Sequence, residues 1–204
     1  MHVLVPFAGT LVSLRLAGGL VGRWRERRTG EFLTWAASLF AFAIASAALT
    51  WGAAAGWDDA SFKVYYLFGG LLTAALLGAG SLQRVGVRLA APAAVFYAGL
   101  CIGVVTAVEL TTPVTGDGIP SAHDHLEFFP ARLLAVVGNA GGTLAATVIA
   151  LHGIRRRPVG NSLILAGIAA AALGSALSGL GESGSAAFSL VAAALLYGGF
   201  VSRR

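Results

Sequence analysis

Residues 109–132 read E-L-T-T-P-V-T-G-D-G-I-P-S-A-H-D-H-L-E-F-F-P-A-R and form the longest polar interruption in an otherwise apolar chain. The stretch holds two of the four histidines and four of the nine acidic residues. It separates four apolar segments that precede it from three that follow it. The organisation of the protein therefore depends on what those flanking segments are.

The composition places the chain in a membrane. Of 204 residues, 57% are hydrophobic and only 11% are charged, whereas a soluble domain carries about 25% charged residues. The apolar residues also come in uninterrupted blocks, unlike the one-sided stripe of a helix that faces water. These observations predict an integral membrane protein whose principal partner is the lipid bilayer.

Seven segments are long enough to cross a bilayer, since a spanning helix needs about 20 mostly apolar residues. The sequence therefore predicts an all-α polytopic bundle that forms a single domain over residues 1–204. The first segment is expected to be a retained helix, because its arginines follow the apolar run instead of preceding it, as they would in a secretory signal. The predicted spans are 3–21, 32–55, 64–82, 89–109, 131–153, 161–180 and 186–201.

The charges alternate between the two sides of these spans. Eleven of the 14 basic residues fall in every second connection or at the C-terminus, and the intervening connections hold most of the acidic residues. Basic residues near helix ends stay in the cytoplasm, which predicts an outside N-terminus and an inside C-terminus. The arginine clusters are thereby explained without a nucleic-acid partner. Thirteen arginines against one lysine are typical of a GC-rich bacterial genome, so we expect the bacterial cytoplasmic (inner) membrane.

Small residues recur at four-residue spacing and predict helix-packing faces, because close backbone approach drives much of helix association in lipid. The pattern leaves open whether these faces join helices within one chain, with a protein partner or in a homo-oligomer. The residues are Gly70, Ala74 and Gly78; Gly99, Gly103 and Ala107; Gly138 and Gly142; and Gly167, Ala171, Ser175 and Gly179.

Three polar residues are expected to have structural roles. Asn139 is the one amide well inside a predicted span, so it must find a hydrogen-bond partner there. Arg132 is expected to pair with Glu109 or Glu127 and so to fasten the polar stretch to the helix ends. Six aromatic residues fall near predicted interfaces and are expected to form an aromatic belt, although the third, fourth and fifth of them could instead floor an outward-facing pocket. They are Trp35, Trp51, Trp57, Tyr65, Tyr66 and Tyr197.

Familiar catalytic patterns do not occur in the sequence. The only lysine, Lys63, lies at the outer end of the third segment, which excludes a retinal Schiff base in the seventh. No G-x-S-x-G, H-E-x-x-H or Walker-type motif is present. The single cysteine excludes an internal disulfide. We predict no catalytic residue and no cofactor, and a non-enzymatic role is favoured.

The 109–132 stretch is the best place for a site. Ser121 to Asp124 fits a capping box and predicts a short helix from 122 that ends before Pro130. His123 and Glu127 would then share a helix face, whereas His123 and His125 would share one in an extended segment. Either pair could contribute to a Zn²⁺ or Cu²⁺ site, with Asp124, Glu109 or Asp58 completing the shell. The alternative is a solvated loop.

Residues 51–81, W-G-A-A-A-G-W-D-D-A-S-F-K-V-Y-Y-L-F-G-G-L-L-T-A-A-L-L-G-A-G-S, and residues 160–167, G-N-S-L-I-L-A-G, resemble a family of small multi-pass membrane proteins from GC-rich bacteria. The resemblance implies a discrete bacterial membrane protein and transfers no functional residue.

Three functional hypotheses follow from the sequence. The first is an accessory subunit or small sensor that packs through its small-residue faces. The second is a transporter or channel for a small solute, which the lack of central acidic residues and of mid-span prolines disfavours. The third is the extracytoplasmic metal or ligand site.

Overall fold

A computed structural model describes residues 3–177 and 182–202, and every regular element within these ranges is helical. The prediction of an all-helical chain is confirmed there. Residues 178–180 of the predicted sixth span lie outside the described residues. The side chain of Ser175 and the whole of Gly179, both assigned to a packing face, lie outside them as well.

Each predicted segment corresponds to a helix, and one further short helix lies in the 109–132 stretch. The helices are α1 (Leu4–Arg27), α2 (Gly30–Ala55), α3 (Asp59–Arg84), α4 (Ala90–Ala107), α5 (Ala122–His125), α6 (Phe128–His152), α7 (Pro158–Leu177) and α8 (Glu182–Val201). Within the described residues, five of them are long and apolar enough to cross a membrane, namely α1, α2, α3, α4 and α6. Pro158–Ala171 and Leu190–Val201 are shorter apolar stretches of α7 and α8.

Six helices form a closed ring. Its order is α1, α2, α3, α6, α7 and α8, and α8 packs back against α1. The remaining long helix, α4, lies outside the ring, against α3 and the start of α6. The ring therefore joins a three-helix unit from each half of the chain, and α4 belongs to the connection between them.

The bundle has two apolar cores, one near each end. The basic-end core draws on the end of α1, the start of α2 and the end of α3, and on the matching parts of α6, α7 and α8. The loop-end core draws on the end of α2, the start of α3, the end of α4 and the 109–132 stretch. Neighbouring helices contribute alternate ends to each core, so the chain runs up and down.

Several aromatic residues expected in an interfacial belt are core residues instead. Trp35 is 1% exposed and stacks on Phe200 with ring centroids 4.2 Å apart, and Trp57 and Tyr66 are also buried. The expectation of a belt is wrong for these three. Sequence position could not show which side of each helix packs inside the bundle.

Close helix crossings use the predicted small residues. A Cβ atom at Gly142 would overlap the carbonyl group of Ala74, and one at Gly78 would overlap the backbone of Gly142. At the crossing of α7 and α8, a Cβ on Gly167 would lie 3.1 Å from the carbonyl oxygen of Ala192. These two crossings are made within the chain.

Candidate functional site

The connection between α4 and α6 is folded against the end of α3. The backbone N–H of Trp57 donates to the carbonyl of Gly116 at 2.8 Å, and the N–H of Val114 donates to the Asp59 carboxylate at 2.8 Å. Lys63 Nζ donates to the carbonyl of Val108 at 2.7 Å. Since Val114 is itself buried in the loop-end core, the loop forms a packed cover over this end of the bundle.

A capping box fixes the start of α3 beneath this cover. The Asp58 carboxylate accepts from the N–H of Ser61 at 2.7 Å, and the Ser61 hydroxyl accepts from the N–H of Asp58 at 3.0 Å. The side-chain hydrogen bond with Ser61, aided by its backbone N–H, lowers the pKa of Asp58 below its ordinary value. The first turn of α3 is thus held by a charged cap.

The short helix predicted from residue 122 is present, but it is shorter than expected. Ser121 accepts from the N–H of His123 at 3.2 Å, and α5 ends at His125 because Leu126 turns to an extended conformation and is buried in the loop-end core. Glu127 lies beyond the helix, so His123 and Glu127 do not share a helix face. Burial of Leu126 outweighs continuation of the helix.

The two histidines of the loop, His123 and His125, have different surroundings. Nδ1 of His125 lies 2.9 Å from the Thr112 hydroxyl and 3.1 Å from its carbonyl oxygen, and the ring packs edge-on against Phe62. His123 is exposed. In the part of the chain that the structure describes, no group of three or more His, Cys, Asp and Glu residues could hold a metal ion. The described residues therefore do not include the ligand cluster that the metal hypothesis requires. The four residues of that hypothesis are His123, Asp124, His125 and Glu127.

Arg132 is held by an aromatic ring. Its guanidinium carbon lies 5.7 Å from the centroid of Phe128. Glu109 and Glu127, the partners expected from the sequence, are both exposed. Over the described residues the contact that positions Arg132 is thus a cation–π contact with Phe128.

The structure shows a polar feature that the sequence interpretation missed. The middle of α3, Tyr66–Leu72, is π-helical. Gly69 and Gly70 lie at its centre, where a Cβ would lie 3.1 Å from Ala45 Cβ or from Tyr66 Cδ2 respectively. The sequence signal for this segment is the pair of adjacent glycines, since glycine tolerates close neighbours. The segment is of functional interest because π-helical turns occur frequently at functional sites.

Side chains from three other helices bind the backbone of this segment and of Thr73, the residue that follows it. Asn139 on α6 donates to the carbonyl of Gly70 at 2.7 Å, and the Tyr97 hydroxyl on α4 contacts the carbonyl oxygens of Leu71 and Leu134 at 3.3 and 2.9 Å. Ser38 on α2 donates to the carbonyl of Thr73 at 2.7 Å. We call Ser38, Thr73, Tyr97, Asn139 and Tyr66–Leu72 the α3 polar junction.

The junction supplies hydrogen-bond donors to backbone carbonyl groups of the irregular part of α3. An unpaired backbone group within a bilayer costs several kcal/mol, and the irregular segment of α3 is covered by side chains and by the Thr73 hydroxyl, which donates to Phe68 at 2.7 Å. Its polar atoms are hydroxyl, amide and carbonyl groups. Such groups position a helix or bind a neutral or cationic solute.

The outward face of α4 is open. A Cβ at Gly99 or at Gly103 would meet nothing within 4 Å. A shallow groove of about 440 Å³ follows this face, and Pro130 of α6 forms part of its wall. Its lining residues are Gly99, Leu100, Gly103, Val104, Ala107, Val108 and Pro130.

The chain matches no protein-family model, no curated protein and no solved structure.

Proposed function

We propose that the protein is a multi-pass integral membrane protein with seven spans, an outside N-terminus and an inside C-terminus, in the cytoplasmic membrane of a bacterium. The five long apolar helices support membrane insertion. The alternation of helix ends between the two cores supports a chain that reverses direction at every connection. With the arginine-rich connections at one end, the basic-residue rule gives the orientation.

We further propose a non-enzymatic role, as an accessory subunit or small sensor that binds a transmembrane helix of another chain on the outward face of α4. The observation that carries this proposal is the apolar groove along Gly99 and Gly103 on a helix outside the ring. Glycine lowers helix propensity by about 1 kcal/mol relative to alanine, and small residues let helix backbones approach closely in lipid. A partner helix in the groove would gain that contact.

The test is the mass of the particle in mild detergent. We expect the wild-type protein to migrate with a bound chain, and the double variant Gly99→Leu, Gly103→Leu to lose it because leucine fills the groove. Gly18→Leu with Gly22→Leu is the matched control, since these α1 glycines have the same spacing and also meet nothing within 4 Å. A wild-type particle containing one chain, or equal loss in both double variants, would overturn the proposal.

Transport of a small solute is a second candidate, and the α3 polar junction favours it. Transporters commonly bind their solutes where an irregular helix meets the contact between two helical repeats. The junction lies where α3 meets α6, which is one of the two contacts between the three-helix units. Proteoliposomes offered a labelled sugar, amino acid and monovalent cation should take up at least one of them, and Asn139→Leu should reduce that uptake. No uptake of the three probes would remove this candidate.

A further inference from the structure

The turn between α1 and α2 concentrates arginine at one membrane face. Residues 23–28 read R-W-R-E-R-R, and Arg25, Arg27 and Arg28 are exposed. Arg28 adopts a left-handed conformation, with φ 56°, and its N–H donates to the carbonyl of Trp24 at 2.7 Å. The backbone that carries the arginines is therefore fixed by the end of α1.

Aromatic rings hold two of these guanidinium groups. The guanidinium carbon of Arg28 lies 5.1 Å from the centroid of Trp24, and that of Arg27 lies 5.9 Å from the centroid of Phe32. A guanidinium within about 6 Å of a ring centroid is attracted to the ring, and its N–H groups form a planar fork of donors. Those donors can bind two oxygens of one phosphate.

The depth of the turn matches the headgroup layer. An apolar core of about 30 Å is crossed by roughly 20 helical residues, so a helix that enters at Leu4 leaves the core near Arg23. Arg27 and Arg28 follow four and five residues later, roughly 6–8 Å beyond the apolar core. The headgroup layer on each side extends about that far.

Two acidic residues, Glu26 and Glu31, are the nearest opposite charges along the chain. In the described ranges neither forms an ion pair with Arg27 or Arg28. Four arginines within six residues exceed these two carboxylates, so the turn keeps a net positive charge.

We propose that Arg27 and Arg28 form a binding site for the phosphate of an anionic phospholipid at the turn between α1 and α2. The inference rests on the proposed membrane placement but is independent of the α4 interface. Charge alone would attract anionic lipid to every arginine at this face. The proposed site instead binds the lipid phosphate at two particular arginines.

The test counts lipids bound to the purified protein by native mass spectrometry. Phosphatidylglycerol is titrated against phosphatidylcholine for the wild type, for Arg27→Gln with Arg28→Gln, and for Arg155→Gln with Arg156→Gln. Both double variants remove two charges from exposed arginines at the same face, but only the first removes the ring-held pair. We expect about tenfold weaker phosphatidylglycerol binding in the first variant and a change of less than about twofold in the second.

Two further measurements distinguish a guanidinium-specific lipid site from a site that needs only positive charge and from a general anion site. Arg27→Lys with Arg28→Lys keeps the charge and loses the planar fork, so it should still weaken phosphatidylglycerol binding, and it serves in place of the glutamine variant if that does not fold. Competition by millimolar inorganic phosphate as strong as that by phosphatidylglycerol would replace the lipid site with a general anion site. Equal weakening in the two glutamine variants, or none in the first, would overturn the proposal.

Discussion

Asn139 illustrates, at the scale of one residue, what an amide does within a membrane bundle. Its side-chain amide donates to the carbonyl of Gly70 in the π-helical segment of α3, at 2.7 Å. The Asn139→Leu substitution removes the donor and keeps a similar volume. We expect it to lower the free energy of unfolding in detergent by about 1 kcal/mol, as interhelical hydrogen bonds in membranes typically contribute.

Thr106→Val provides the comparison for Asn139→Leu. Thr106 is exposed, and within the described residues its hydroxyl donates to carbonyls of its own helix alone, those of Ile102 and Gly103. We expect its removal to change stability by less than about 0.5 kcal/mol. Equal effects of the two substitutions, measured by thermal unfolding, would show that the Asn139 contact does not fasten α6 to α3.

The Asp58 cap should make the first turn of α3 sensitive to acid. Because hydrogen bonding lowers the folded pKa of Asp58, the stabilisation that its carboxylate gives to α3 is complete above the ordinary pKa of 3.8. That stabilisation is lost as the pH falls through the lowered folded pKa. Hydrogen exchange of the Ser61 amide, corrected for intrinsic rate, should accelerate in that acid window. Asp58→Asn should abolish this pH dependence, whereas Asp117→Asn, in the exposed loop, should leave it intact.

At the scale of helices, the crossing of α3 and α6 depends on the absence of side chains. In Gly142→Ala the new Cβ would overlap the carbonyl of Ala74, which belongs to rigid helical backbone. We expect a loss of about 1–3 kcal/mol, the usual cost of overpacking. Thermal unfolding in mild detergent measures this effect.

Gly141→Ala is the matched control for this crossing. The neighbouring glycine has nothing within 4 Å of an added Cβ, so alanine should be neutral or slightly stabilising through its helix propensity. A Gly142→Ala protein as stable as the Gly141→Ala protein would mean that the helices do not cross this closely.

The helices themselves could be predicted from the sequence, but their irregular parts could not. Uninterrupted apolar blocks near 20 residues mark helices whatever the tertiary contacts, and every predicted segment has its helix. The π-helical Tyr66–Leu72 depends on Ser38, Tyr97 and Asn139, which are distant in sequence. The early end of α5 likewise depends on burial of Leu126 against other elements. The adjacent Gly69 and Gly70 mark the position of the irregular segment, but local sequence shows neither the distant contacts that hold it nor the burial of Leu126.

At the scale of the whole molecule, the small-residue pattern predicted packing faces but not their partners. Spacing marks a face, whereas the choice of neighbour follows from how the helices are arranged. Gly78 and Gly142 meet within the ring, while Gly99 and Gly103 face outward on α4. The candidate interface on α4 is therefore distinguished from the internal packing faces by the fold and not by the sequence spacing. The 109–132 stretch likewise forms a packed cover through contacts with Asp59 and Lys63, which are distant in sequence, and through its own His125.

The proposed orientation predicts which connections a reagent can reach from outside the cell. In a Cys101→Ser background, a cysteine at exposed Thr115 should react with a membrane-impermeant thiol reagent in intact cells. A cysteine at exposed Val87, between α3 and α4, should react only after permeabilisation. A cysteine at Ser183 should react from outside, because the chain then crosses the membrane twice between Arg157 and its C-terminus. Labelling of Val87→Cys in intact cells would reverse the orientation, and protection of Ser183→Cys alone would reduce the seven spans to five.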